Sequence, residues 1–241
     1  MSRSSRRVAP AARGARARRS STRAAALRRA KPRRSSVPPK QYDRAYFERW
    51  YRDPRYTVVH QGVLARRVQL AVAAAEYLLE RPLRTVLDVG CGEAPWRALL
   101  LRARPNVRYT GVDSSAYVVR RYGRKRGIRL GRLGALARLD LDPPYDLIVC
   151  SDVLHYVATD EARRGLRAIA RLLGGVAFIE TFAREDPTEG DQDEFQQRPA
   201  STYRRLFREA GLIPLGLHCY AGRALKRDLT TFERGDGGRP K

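Results

Sequence analysis

The sequence predicts an α/β protein built on a mostly parallel sheet, and three observations carry that reading. Thr85–Val89 is a short, β-branched and apolar run, the composition of a strand buried on both faces of a parallel sheet. Gly90-Cys91-Gly92 turns the chain directly after it, and Pro95 stands where a helix can begin without needing its missing N–H. Beyond Pro95, segments of helical period alternate with further strand-like runs, the order that parallel sheets require.

The turn sets the chemistry. Glycine lets a backbone approach a ligand closely, and the helix behind it offers unpaired N–H groups. Asp88-Val89-Gly90-Cys91-Gly92-Glu93-Ala94 resembles the acidic-x-Gly-x-Gly-x-Gly motif of class I S-adenosylmethionine-dependent methyltransferases. Dinucleotide-binding folds share the first two glycines, and Asp88, two residues before the first, tilts the choice to the methyltransferases. Alanine replaces the third glycine at position 94, a change expected to cost little if that glycine serves close packing.

Before the turn, Tyr42, Tyr46, Phe47, Trp50 and Tyr51 sit at near-helical spacing. A second helix over 61–80 carries Leu64, Val68, Ala71, Val72 and Ala75 on one face. In the resemblance, helices at this place cap the cofactor. After the turn come a helix over 95–104 and a strand over 107–112 that ends at Asp113. Asp113 lies 23 residues past Gly90, near the roughly 20 expected of a carboxylate that accepts two ribose hydroxyls. Ser114 is the candidate cap of the next helix, 115–126, which Gly127 stops.

Ile128–Leu133 reads as the third strand. The resemblance places an adenine-contacting acid here, but this chain has Gly131-Arg132-Leu133-Gly134-Ala135, so backbone groups around Leu133 and Gly134 take that role. Asp142-Pro143-Pro144-Tyr145 spells the tetrad of amino-methyltransferases, yet it precedes the strand Asp146–Cys150 instead of following it, and reads as a turn. Ser151-Asp152-Val153-Leu154-His155-Tyr156 does follow that strand, at the carboxyl end where open α/β sheets bind ligands. His155 is the candidate general base and Asp152 a candidate contact to substrate or to the methionine amine. The resemblance assigns the cofactor to Asp88, Gly90, Cys91, Gly92, Asp113, Ser114, Leu133, Gly134, Cys150 and Ser151, and calls for no metal.

A helix over 162–173, a strand over 176–181, a helix over 201–210 and a sixth strand over 212–219 complete the pattern. Residues 223–234 are too charged to read as a seventh strand. Glu185–Glu194 holds six acids in ten residues, a solvated loop, a partner for the basic tail, or a lid favouring a cationic substrate. The resemblance therefore implies a doubly wound, Rossmann-like sheet of six or seven strands in the order 3-2-1-4-5-(7)-6. It also implies S-adenosylmethionine as methyl donor and a small-molecule acceptor nucleophilic at N, O, S or C.

The formal charge of +24 is unevenly spread over the 241 residues. Residues 1–40 carry twelve arginines, two lysines and no acid, a charge of +14 that leaves +10 for the rest. This tail is low in complexity and expected to be disordered. It reads as a solvated arm, a non-specific nucleic-acid contact, or a leader resembling an organellar transit peptide. The predicted organisation is thus a 1–40 tail, 41–80 cap helices, an 81–225 S-adenosylmethionine-binding domain and a 226–241 C-terminal tail. No apolar run reaches the roughly 18–20 residues that span a bilayer. Cys91, Cys150 and Cys219 lack metal-ligand spacing and read as free thiols in a reducing cytoplasm. An RNA- or protein-directed methyltransferase anchored by the basic arm, a non-catalytic nucleic-acid-binding protein and a dinucleotide-dependent oxidoreductase are the rival readings. The last lacks a recognisable Tyr/Lys or Cys/His catalytic set.

Overall fold

The computed structural model describes residues 40–56 and 61–235; the tail expected over 1–40, apart from Lys40, and residues 236–241 lie outside the described residues. Seven strands form one sheet in the order β3-β2-β1-β4-β5-β7-β6. They are β1 (Thr85–Val89), β2 (Arg108–Asp113), β3 (Ile128–Leu130), β4 (Tyr145–Ser151), β5 (Leu173–Glu180), β6 (Ile213–Gly216) and β7 (Cys219–Ala221). The first five run parallel, and β7 pairs antiparallel with both β5 and β6.

Strand periodicity divides the core into two layers. Leu87, Val89, Ile148, Cys150, Ala177 and Ile179 face α5 (Thr159–Leu172) and α6 (Ala200–Ala210). The alternate residues Val86, Leu147, Val149, Val176 and Phe178 face α2 (Gln61–Leu79) and α3 (Pro95–Ala103). α2 therefore departs from the expected cap: Val68, Ala71, Val72 and Ala75 are buried against the sheet beside α3. Among the described residues, α1 (Arg44–Arg52) lies over the glycine turn, with Tyr51 and Phe47 beside Gly92. Its Phe47 is buried among Cys91, Ala94 and Val118 of α4 (Ala116–Arg126) and stacks on Tyr117 at 5.8 Å.

The sixth strand expected over 212–219 spans β6 and the turn that follows it, and its last residue, Cys219, begins β7 of a hairpin. Leu217 and His218 carry φ of 50° and 65°, the left-handed pair of a two-residue hairpin turn. Such turns usually announce themselves with Asn or Gly, and this one does not. Residues 223–227 form a 3-10 turn, and Leu225 and Leu229 pack against Leu78 and Leu79, so the described start of the C-terminal segment is docked instead of a tail. Asp142–Pro144 does precede β4 as a connecting loop. At the amino end of β4, Asp146 accepts the Arg81 guanidinium at 2.8 and 2.9 Å and the Arg84 N–H at 2.7 Å. Burial works against its charge, but these donors hold its carboxyl below the ordinary range.

Candidate active site

At the carboxyl ends of β1, β2 and β4 the predicted residues converge. Gly90 and Gly92 take φ of 71° and 52°, and the Gly90 and Cys91 N–H groups both donate to the Val112 carbonyl, at 2.7 and 3.2 Å. The Gly92 N–H turns instead to the Asp113 carboxylate at 2.8 Å, and the Ser115 N–H reaches its other oxygen at 2.8 Å. Each oxygen accepts one protein donor, which leaves one lone pair on each for a ligand. Asp113 is buried, and desolvation raises its pKa against the pull of those two donors.

Both glycines are sterically required. A Cβ on Gly90 would stand 2.3 Å from a Val153 methyl, and one on Gly92 would stand 2.2 Å from the Tyr51 hydroxyl of α1. Ala94 sits at φ 60°, so the third glycine of the motif serves conformation as well as packing. The expected low cost of alanine there is thus too small, since a left-handed L-residue costs roughly 1–2 kcal/mol.

Asp88 is buried and accepts the Tyr109 hydroxyl at 2.7 Å. Burial pushes its carboxyl up to about 7, with Tyr109 pulling down and Asp113 adding to the rise. The sign of the stability effect follows. Above its ordinary 3.8 the unfolded chain releases this proton while the folded chain keeps it until about 7, so stability falls as pH rises through that window. Asp88→Asn should remove this slope. Its stability relative to wild type, from urea unfolding at pH 4.5 and 7.5, should improve by a few kcal/mol between the two. An unchanged difference would show that Asp88 ionises normally.

The other predicted residues divide. Ser115, not Ser114, caps α4, accepting the Val118 N–H at 3.1 Å, while Ser114 is exposed. Capping needs a side chain turned back on the helix, and the register of β2 gives that place to the second serine. Cys91 is buried against Gly111, and burial holds its thiol high. Cys150 faces the core layer of α5, its thiol pushed up by burial to about 12. Leu133 begins a 3-10 turn and packs its side chain on Gly165, and the Gly134 N–H donates to Glu161 at 3.4 Å. The structure thus commits the side chains of Cys150 and Leu133 to the core.

Asp152 holds φ 61° and presents its carboxylate to solvent, 59% exposed, while its N–H donates to the Glu180 carbonyl at 3.1 Å. His155 is buried beneath it. Its Nε2 stands 3.0 Å from Asp152 Oδ1, and its Nδ1 meets the Thr181 hydroxyl at 3.2 Å and the Phe182 N–H at 3.5 Å. Because Phe182 can only donate, Nδ1 accepts and Nε2–H points at Asp152. Ser151 donates to Glu180 at 2.7 Å, and the other Glu180 oxygen pairs with Arg67 of α2 at 2.6 Å.

Sequence reading missed the supports of this site. Buried Arg198 ties down the segment after β4 by donating to the Leu154 and Val157 carbonyls and to Thr159. Lys40 is buried beside Tyr156 and Asp191, the second reaching it from the acidic loop. Neither carries a local signal, because each partner is distant in sequence. Among the described residues no cluster of His, Cys, Asp and Glu is arranged to hold a metal, and no helix is long and apolar enough to cross a membrane.

A family model described as a methyltransferase domain matches residues 87–175. No curated protein matches the chain. Among solved structures, the sugar N-methyltransferase KedS8 from a Streptoalloteichus species is 18% identical, over 66% of this chain and 88% of its own, with a TM-score of 0.53. The plantazolicin methyltransferase BamL is 15% identical over 62% of each chain, with a TM-score of 0.51. An O-methyltransferase family protein from Burkholderia thailandensis is 19% identical over 68% of this chain, with a TM-score of 0.49. The chain spans 58% of the length of that protein. The methyltransferase-domain match covers the glycine turn, Asp113 and the segment after β4, and the sheet, with β7 inserted antiparallel between β5 and β6, has the fold of KedS8 and BamL.

Proposed function

We propose that this chain transfers a methyl group from S-adenosylmethionine to a nucleophilic atom of a small molecule. The observation that carries the reading is the Asp113 carboxylate, fixed by two N–H donors beside a glycine turn with one lone pair left on each oxygen. Paired ribose hydroxyls fit that arrangement. The rest of the crevice suits a cationic donor, because Asp113 ends β2 and Asp152 follows β4, on either side of β1. S-Adenosylmethionine, when bound, would supply a methyl on a positively charged sulfur, with the neutral thioether as leaving group.

The work left to the protein is to hold, orient and exclude water. Gly90, Cys91 and Gly92 offer backbone surface to the methionine portion, and Asp113 fixes the ribose. Tyr51 and Phe47 of α1 lie over the turn as the cover. Asp152 faces the acceptor side, and His155 acts as its positioning residue, since both ring nitrogens are engaged. The exposed carboxylate, not the buried imidazole, is then the group that receives or steers a proton. The three buried, unpaired cysteines agree with a reducing compartment.

Titration calorimetry tests the reading. Wild type should bind S-adenosylmethionine, and Asp113→Asn should bind it about 10–150-fold more weakly, the loss of a charge-assisted contact. Asp113 also satisfies two buried N–H groups, so the variant's thermal stability should drop as well. Equal affinity in the two proteins would remove the ribose assignment. A nucleic-acid substrate is the rival reading, and salt-insensitive turnover after deletion of residues 1–39 would speak against it.

A further inference from the structure

Lys40 carries its ammonium into a closed box. The Tyr156 ring centroid lies 4.0 Å from Nζ, and the rings of Tyr42 and Tyr46 lie 5.3 Å away each. Asp191 forms an ion pair with it, the Asp193 carbonyl accepts from it at 3.2 Å, and the side chain is only 7% exposed. Burial pushes all three phenols up, so they meet the ammonium as neutral rings. Three aromatic faces and one carboxylate around a cation make the arrangement that recognises quaternary and methylated ammonium groups.

The box is part of the crevice. Tyr42 accepts the Ser115 hydroxyl through its carbonyl, next to the Asp113 end of β2. Tyr156 packs at a tilt against His155, with centroids 4.2 Å apart and planes inclined at 59°, next to the Asp152 end of β4. The Tyr156 hydroxyl donates to the Asp191 carbonyl at 2.9 Å, which ties the acidic loop to that wall. A ligand lying across the strand ends therefore has an ammonium-shaped recess above it, filled by the chain's own lysine.

We infer that Tyr42, Tyr46, Tyr156 and Asp191 form a binding site for a cationic amine on the methyl acceptor, and that Lys40 occupies it as an internal stand-in. The word acceptor rests on the methyl-transfer reading; the affinity of the box for ammonium does not. The nitrogen held there is a handle and not the reacting atom, because a protonated or quaternary nitrogen has no lone pair to attack with. Occupation by Lys40 lowers the apparent affinity for the ligand by the fraction of molecules in which the box is open.

The probe is tetramethylammonium chloride, titrated at constant ionic strength into wild type, Lys40→Ala and Lys40→Ala/Tyr156→Ala. Lys40→Ala should bind it at least about tenfold more tightly than wild type, and adding Tyr156→Ala should abolish the gain. No gain, or a gain indifferent to Tyr156, would make Lys40 a structural clamp and end the proposal. Wild type gives a reading that needs no folded variant. Lys40, one of only five lysines, should be protected from acetylation in the free protein and become labelled at saturating tetramethylammonium. Unchanged labelling would also overturn the proposal. Asp113→Asn should lose S-adenosylmethionine affinity yet leave the wild-type tetramethylammonium response intact, which separates failure of the box from failure of the cofactor site. Finally, methylated products from a metabolite mixture with labelled donor should retain a cationic nitrogen. Products without one would show that the box does not serve the acceptor.

Discussion

Gly90→Val should reduce S-adenosylmethionine affinity by at least about a hundredfold, the largest loss expected from any single substitution in the turn. Two independent penalties add. The backbone is at φ 71°, where a β-branched residue is strained by a few kcal/mol, and the new Cβ would sit 2.3 Å from the Val153 methyl. Val153 belongs to the segment that presents Asp152, so relief of the clash moves both walls of the crevice. Calorimetry on Gly90→Val, Gly90→Ala and Gly90→Ala/Val153→Ala separates the terms. The double variant should recover part of the affinity lost by Gly90→Ala, because only the backbone strain remains. Normal binding by Gly90→Val would mean that the turn is not the cofactor cradle.

Glu180→Ala should destabilise the fold by about 3–5 kcal/mol. Glu180 is 4% exposed and joins Arg67 of α2 to Ser151 of β4 at 2.6 and 2.7 Å. Truncation leaves a guanidinium, itself only partly exposed, without its carboxylate. In a chain of this size that corresponds to a fall in Tm of roughly 10 °C. Glu180→Gln keeps the shape and one acceptor and should lose less than half as much. A Tm within 2 °C of wild type for the alanine variant, by calorimetric scan, would show that Arg67 finds another partner.

The parts of this molecule legible in its sequence are those specified by local pattern. The positions of the first five strands along the chain follow from apolar runs and turn residues, while their order in the sheet comes from the resemblance. Asp113 is found by its spacing from Gly90 because both ends of that spacing are fixed by one strand–helix–strand unit. Resolution fails at a single residue where two neighbours share the chemistry, as with Ser114 and Ser115. It fails again where the signal is missing, as in the β6–β7 turn built from Leu217 and His218. It fails altogether for Lys40 and Asp191. Their pairing joins positions 151 residues apart, and in the sequence each looks like one charge among many. Ala94 shows a subtler limit: the departure from the motif is visible, but the reason the motif wants glycine, a left-handed backbone, is not.

The placement of the chain's two tryptophans gives the cover helix an optical signature. Trp96 is buried in α3 against Phe178, with centroids 5.1 Å apart, in a layer that ligand binding does not need to disturb. Trp50 lies half-buried on α1, 5.6 Å from Tyr56 and beneath the Arg49 guanidinium. Emission from Trp96 is therefore a constant background, and any ligand-dependent change in colour or intensity belongs to Trp50. With Trp50→Phe as the blank, stopped-flow fluorescence tests, without attaching a dye, whether α1 moves over the glycine turn when ligand binds.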